Sequence, residues 1–162
     1  MLSNAIVWIF LDIDGVLVPD TMYERTDLPP FDPADPPFEP ACRDRFETVL
    51  RHHRSALVVI ASSWREIFPL SAICDRFSPD IARRVVGQTP FLAATDAANV
   101  NHLRHREVEA FLAGLGVPKA PWVAIDDIAD HFRPGAPVIL TDGNVGFDDR
   151  AAAALDQALY EV

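Results

Sequence analysis

The sequence predicts an α/β fold, a parallel sheet sandwiched between helical layers, and three observations carry that prediction. Short apolar runs rich in β-branched and aromatic side chains recur within residues 5–18, 56–61 and 122–125, the pattern of strands buried on both faces. Each run stops abruptly at polar groups: Asp12 and Asp14, then Ser62, then Asp126 and Asp127. Between the runs, apolar residues recur at the three-to-four spacing of amphipathic helices. A chain of 162 residues with 49% hydrophobic content has room for one domain, residues 1–162, with a sizeable core.

The first run, Ala-Ile-Val-Trp-Ile-Phe-Leu, leads into Asp12-Ile13-Asp14-Gly15-Val16-Leu17-Val18. Aspartates one residue apart on a strand point to opposite faces, so they share a pocket only where the strand ends and the backbone turns, which Gly15 permits. In open parallel sheets the carboxyl edge is where ligands bind. Residues 19–40 carry Pro19, Pro29, Pro30, Pro33, Pro36, Pro37 and Pro40, which rules out a helix or an inner strand. The segment reads as a long loop leaving that edge, a lid or a solvated linker, pinned by Phe31 and Phe38. Its composition predicts that it builds no core, so that shortening it leaves thermal stability nearly intact.

Cys42, Phe46, Val49 and Leu50 predict an amphipathic helix over 41–53, with Arg43, Arg45, Arg51, His52 and His53 on its outer faces. The second strand runs into Ser62 and Ser63, and the spacing of Ile67, Leu70, Ile73, Cys74 and Phe77 predicts that a helix follows, with Pro69 as a break or first turn. Hydroxyls at a helix start serve either as caps or as phosphate ligands. Residues 78–95 predict a short helix and strand around Ile81, Val85 and Val86, then a turn at Gly87-Gln88-Thr89-Pro90. A helix is predicted from Asn99 through Leu115, with Arg104 and Arg106 in its first turns. The third strand ends in Asp126-Asp127, adjacent carboxylates that repel unless a cation or an arginine offsets them, as in half of a magnesium site. A strand over 138–140, a turn at Thr141-Asp142-Gly143-Asn144 and an alanine-rich helix over 149–159 close the chain.

Leu-Asp-Ile-Asp-Gly-Val-Leu, Ser-Ser-Trp-Arg and Trp-Val-Ala-Ile-Asp-Asp, in that order, resemble the motifs of the haloacid dehalogenase (HAD) superfamily. The flavour is similar to the HAD domain of Swiss Army Knife RNA repair proteins. The resemblance implies a Rossmann-like three-layer sandwich and assigns roles by position. Asp12 is the nucleophile, Asp14 the general acid/base, Ser62 the hydroxyl that holds the phosphoryl group, and Arg104 the cation that binds it, with Arg106 as the alternative. Mg²⁺ is held by Asp12, the backbone carbonyl of Asp14, and Asp126 or Asp127. Ser62 stands where threonine is frequent and arginine replaces lysine, and the gap from Gly15 to Ala56 holds no recognisable cap domain. An open site suits a large substrate or a phosphorylated polynucleotide end, or needs a partner to close it.

Two classes of function follow: a magnesium-dependent phosphatase working through an aspartyl-phosphate, and a noncatalytic binding or regulatory domain on the same fold. A net charge of -10 and a pI near 4.7 argue against nonspecific nucleic-acid or anionic-membrane binding as the main activity. Cys42 and Cys74 are too few for a disulfide scaffold and lack metal-ligand spacing. The apolar start lacks a basic leader, so a cytoplasmic protein is the expectation.

Overall fold

The structure, a computed structural model, describes residues 5–92 and 101–162. Five parallel strands form one sheet: β1 (Val7–Leu11), β2 (Ala56–Ile60), β3 (Val85–Gln88), β4 (Trp122–Asp126) and β5 (Val138–Leu140), in the order β3-β2-β1-β4-β5. β1 is therefore central, flanked by β2 in the register Leu11 to Ile60 and by β4 in the register Leu11 to Ile125. All-parallel pairing requires crossovers: α1 (Pro40–His52) lies between β1 and β2, α2 (Leu70–Cys74) and α3 (Pro79–Ala82) between β2 and β3, α4 (Leu103–Gly114) between β3 and β4, and a 3-10 turn (Ala129–His131) between β4 and β5, while α5 (Asp149–Tyr160) follows β5. None of the described helices is long and apolar enough to cross a membrane.

The period of two along β1 separates the two faces of the core. Val7, Ile9 and Leu11 join Phe46, Leu50, Leu155 and Leu159 of α1 and α5 on one face. Phe10, backed by Trp8, meets Val108 and Leu112 of α4 with Phe132 on the other. The result is the three-layer α/β sandwich the apolar runs predicted.

Three local expectations are corrected. After Ser62 the chain makes a 3-10 turn (Ser63–Glu66) instead of entering a helix directly, and α2 begins only beyond Pro69, which acts as the expected break, because proline disfavours helical backbone at the residue before it. Gly87 and Gln88, expected in a turn, pair with β2 as part of β3, and the chain leaves the sheet at Thr89, whose N–H still donates to Ile60 O. Asn99, the expected start of α4, lies outside the described residues.

The third correction concerns residues 19–40. Met22 and Phe38 are buried in the main core, with Leu28 and Phe31 packed against it. Glu39 caps α1 by accepting from Cys42 N and also receives Arg25 at 2.9 Å. A segment that fills core and caps a helix contributes to stability, so its shortening is costly.

Candidate active site

β1 and β4 deliver their terminal carboxylates to the same edge. Asp12 N donates to Ile125 O, which continues the β1–β4 ladder one step beyond the strand and holds Asp12 beside Asp126. Gly15 then turns the chain at φ +75°, with Gly15 N donating to Val18 O and Val18 N to Ile13 O. A Cβ at Gly15 would lie 2.3 Å from Asp127 Oδ2, so only glycine lets the turn press against that carboxylate. Carboxylate oxygens of Asp12, Asp126 and Asp127 come within 4.8 Å of one another.

Burial and like charge act together on this cluster. Asp12 is buried, and its carboxyl is pushed well above the usual range, first by desolvation and then by Asp126. Asp127 is raised too, by its partial burial and by Asp126. Asp126 Oδ1 accepts from Ile128 N at 2.8 Å and Oδ2 lies 3.0 Å from His131 Nδ1, so its carboxylate is fixed from behind. The positive charge of Arg104 weakly opposes the rise at Asp12.

The family model for the HAD domain in Swiss Army Knife RNA repair proteins matches residues 8–152. The chain belongs to that family. No curated protein and no solved structure matches the chain. HAD domains are a phosphatase-type superfamily and generally use Mg²⁺, and the cluster just described has the donor set for such an ion. All three groups offer carboxylate oxygen, the ligand a hard dication prefers, and their unneutralised proximity is what a cation relieves.

The family's motif positions fall as follows. Asp14, unlike Asp12, is exposed, and Trp64 Nε1 donates to its Oδ1 at 2.9 Å, so the turn at Gly15 aims the two aspartates differently. Ser62 is fully buried one step past the β1–β2 ladder, where Ala61 N donates to Leu11 O, and its Oγ accepts from Trp64 N at 3.2 Å. Arg104 pairs with Glu107 at 2.9 Å, while its buried Nε has no partner among the described residues. Arg106 sits two residues on, roughly the opposite side of α4, with its N–H donating to His102 O. No cap domain stands over this edge among the described residues.

Sequence reasoning left four contributors unassigned. Glu107 is buried on α4 and holds Arg104 together with Arg65, the latter at 2.8 Å. Arg65 also donates to Thr89 Oγ1 at 2.8 Å and lies over the Phe91 ring. His131 braces Asp126. Trp64 reaches Asp14 across 50 residues of sequence. The one local signal was the i, i+3 spacing of Arg104 and Glu107.

Proposed function

We propose that this protein is a Mg²⁺-dependent phosphatase that hydrolyses phosphomonoesters through an aspartyl-phosphate on Asp12. The observation that carries the reading is the convergence of Asp12, Asp126 and Asp127 within 4.8 Å beside the charge of Arg104, in a chain that belongs to a HAD family. The side chains of Asp12, Asp126 and Asp127, with the backbone carbonyl of Asp14, are the groups assigned to the ion. Bound there, Mg²⁺ supplies the positive charge that lets a carboxylate approach a phosphate dianion.

The chain's own residues perform the rest. A carboxylate oxygen of Asp12 forms a bond to phosphorus as the ester P–O bond breaks, and the departing oxygen takes its proton from Asp14. Ser62 Oγ and the Arg104 guanidinium hold equatorial phosphoryl oxygens, where charge spreads in the transition state. Asp14, now ionised, takes a proton from a water whose oxygen attacks phosphorus. The bond to Asp12 breaks, inorganic phosphate leaves and both carboxyl groups return to their starting forms.

The absence of a described cap supports a substrate larger than a metabolite, and the family's description points to a terminal phosphate on RNA as the first to try. Local arginines would then grip one end despite the net charge of -10. The test is phosphate release from an aryl phosphate and from phosphorylated oligonucleotide ends, with Mg²⁺ or with chelator, in wild type and Asp12→Asn. Metal-dependent release that Asp12→Asn abolishes supports the reading. No release overturns it in favour of a noncatalytic binding domain, and equal release by both proteins overturns it in favour of an unrelated site.

A further inference from the structure

The hydrogen bond from Trp64 Nε1 to Asp14 Oδ1, at 2.9 Å, joins a buried ring to an exposed carboxylate. An indole N–H only donates, so the oxygen it touches must accept. Because a carbonyl oxygen accepts more strongly than a carboxyl hydroxyl, the bond favours the proton of a protonated Asp14 on Oδ2. One bond thus biases which oxygen of Asp14 transfers the proton and holds the carboxyl in one orientation.

The ring is itself held from several sides, and the proline-rich segment supplies part of the grip. Phe38 packs at 6.0 Å from the Trp64 ring and Phe68 at 4.8 Å between centroids. The Arg76 guanidinium lies 4.9 Å above the indole and 4.7 Å above Phe68. Arg76 is anchored in turn on the segment, donating to Pro36 O at 2.9 Å and pairing with Asp35. The 3-10 turn begun by Ser62 sets the backbone of Trp64, since Ser62 Oγ accepts from Trp64 N.

We propose that Trp64 is the positioning residue for Asp14: its N–H occupies Oδ1 so that Oδ2 gives and takes the proton, and Phe38 and Arg76 seat the ring. The inference rests on the phosphatase reading above and adds to it a role for the segment at 19–40, which acts on the site through Trp64.

The test compares esters whose leaving groups differ in their need for a proton, assayed with Mg²⁺. General acid–base catalysis contributes about 10²–10⁴-fold, so Trp64→Phe should lower kcat for an alkyl phosphate about 10- to 100-fold with KM little changed. An activated aryl phosphate needs no acid to depart, so its phosphorylation burst should keep its rate in Trp64→Phe while the steady state slows. Phe77→Leu, which loosens the same aromatic cluster through Phe38 but leaves the N–H, should affect both esters alike. In an Asp14→Asn background Trp64→Phe should add less than about twofold, as expected of two groups acting as one unit. If Trp64→Phe fails to fold, 3-benzothienylalanine at position 64 keeps the ring shape without the donor.

A second readout needs no turnover. In the metal-free protein the Trp64 indole N–H resonance should move upfield in Asp14→Ala. An unmoved resonance, or an equal loss of phosphorylation rate on both esters in Trp64→Phe, overturns the positioning role while wild-type turnover leaves the phosphatase reading standing. Absence of any turnover in wild type overturns both.

Discussion

Two clusters of charge in this molecule, each with buried members, are built on opposite rules. In the Arg65–Glu107–Arg104 cluster one carboxylate is shared by two guanidiniums at 2.8 and 2.9 Å, so every charge has an opposite neighbour. In the Asp12–Asp126–Asp127 cluster like charges meet within 4.8 Å, and Arg104 offsets them only in part. Burying a compensated charge is tolerable, whereas gathering uncompensated ones costs stability that a fold accepts where a ligand or a reaction repays it. The difference separates a cluster of compensated charge from one whose donor set a cation would relieve. Arg104 belongs to the first, and its charge acts weakly on the second.

The strongest way to break the comparison is to remove the nucleophile. Asp12→Asn should cut phosphate release by roughly 10⁴-fold or more, since an amide neither attacks phosphorus nor ligates magnesium well. Its metal-free thermal stability should not fall, because the substitution removes a charge from a crowded site. A large loss of stability would mean the carboxylates are held together for structural reasons.

Next in size is Glu107→Ala, which leaves two buried guanidiniums facing each other. It should destabilise the protein by about 3–5 kcal/mol, read from thermal or urea unfolding. Because Arg104 loses its anchor, KM for a phosphate ester should also rise. A loss below about 1 kcal/mol would show that the pairing carries little.

Asp127→Asn reverses the sign. Without metal it should raise the melting temperature slightly, by relieving repulsion. Added Mg²⁺ should stabilise wild type, by about 2.7 kcal/mol at a hundredfold excess over Kd, and stabilise the variant far less. Equal stabilisation of both would remove Asp127 from the ion's ligands.

The smallest effect belongs to an exposed pair, Arg25 and Asp27, joined at 2.6 Å on the surface. Hydrogen bonding to Arg25 lowers the Asp27 carboxyl from 3.8 to about 2. A lowered folded value stabilises above the unfolded pKa, and that contribution is lost as pH falls from about 4 towards about 2. Solvent screens such a pair, so Asp27→Asn should leave the neutral-pH melting temperature unchanged within about a degree. A larger change would show that exposed and buried pairs here are not so different.

Strand positions were legible in the sequence because burial on both faces demands apolar residues at successive positions, a local property that β1, β2 and β4 display directly. The polar residues at their ends were legible for the same reason, as Asp12, Ser62 and Asp126 mark where burial stops. α2 and β3 were less so. Pro69 postponed the helix that Ile67 and Leu70 suggested, and Gly87 looked like a turn while pairing with β2 at the sheet's edge, where packing overrides glycine's weak strand preference.

By itself, then, the sequence determined a parallel α/β sheet with acids and a hydroxyl along its carboxyl edge, since hydrophobic runs and their abrupt ends are properties of neighbouring residues. The tertiary structure decided what those groups touch. It brought Asp127 against Gly15, paired Glu107 with Arg65 across 42 residues and set Trp64 on Asp14 across 50. Such contacts depend on strand register, on how far α4 is rotated about its axis and on a 3-10 turn ahead of Pro69, and these are settled only when both faces of the sheet pack together.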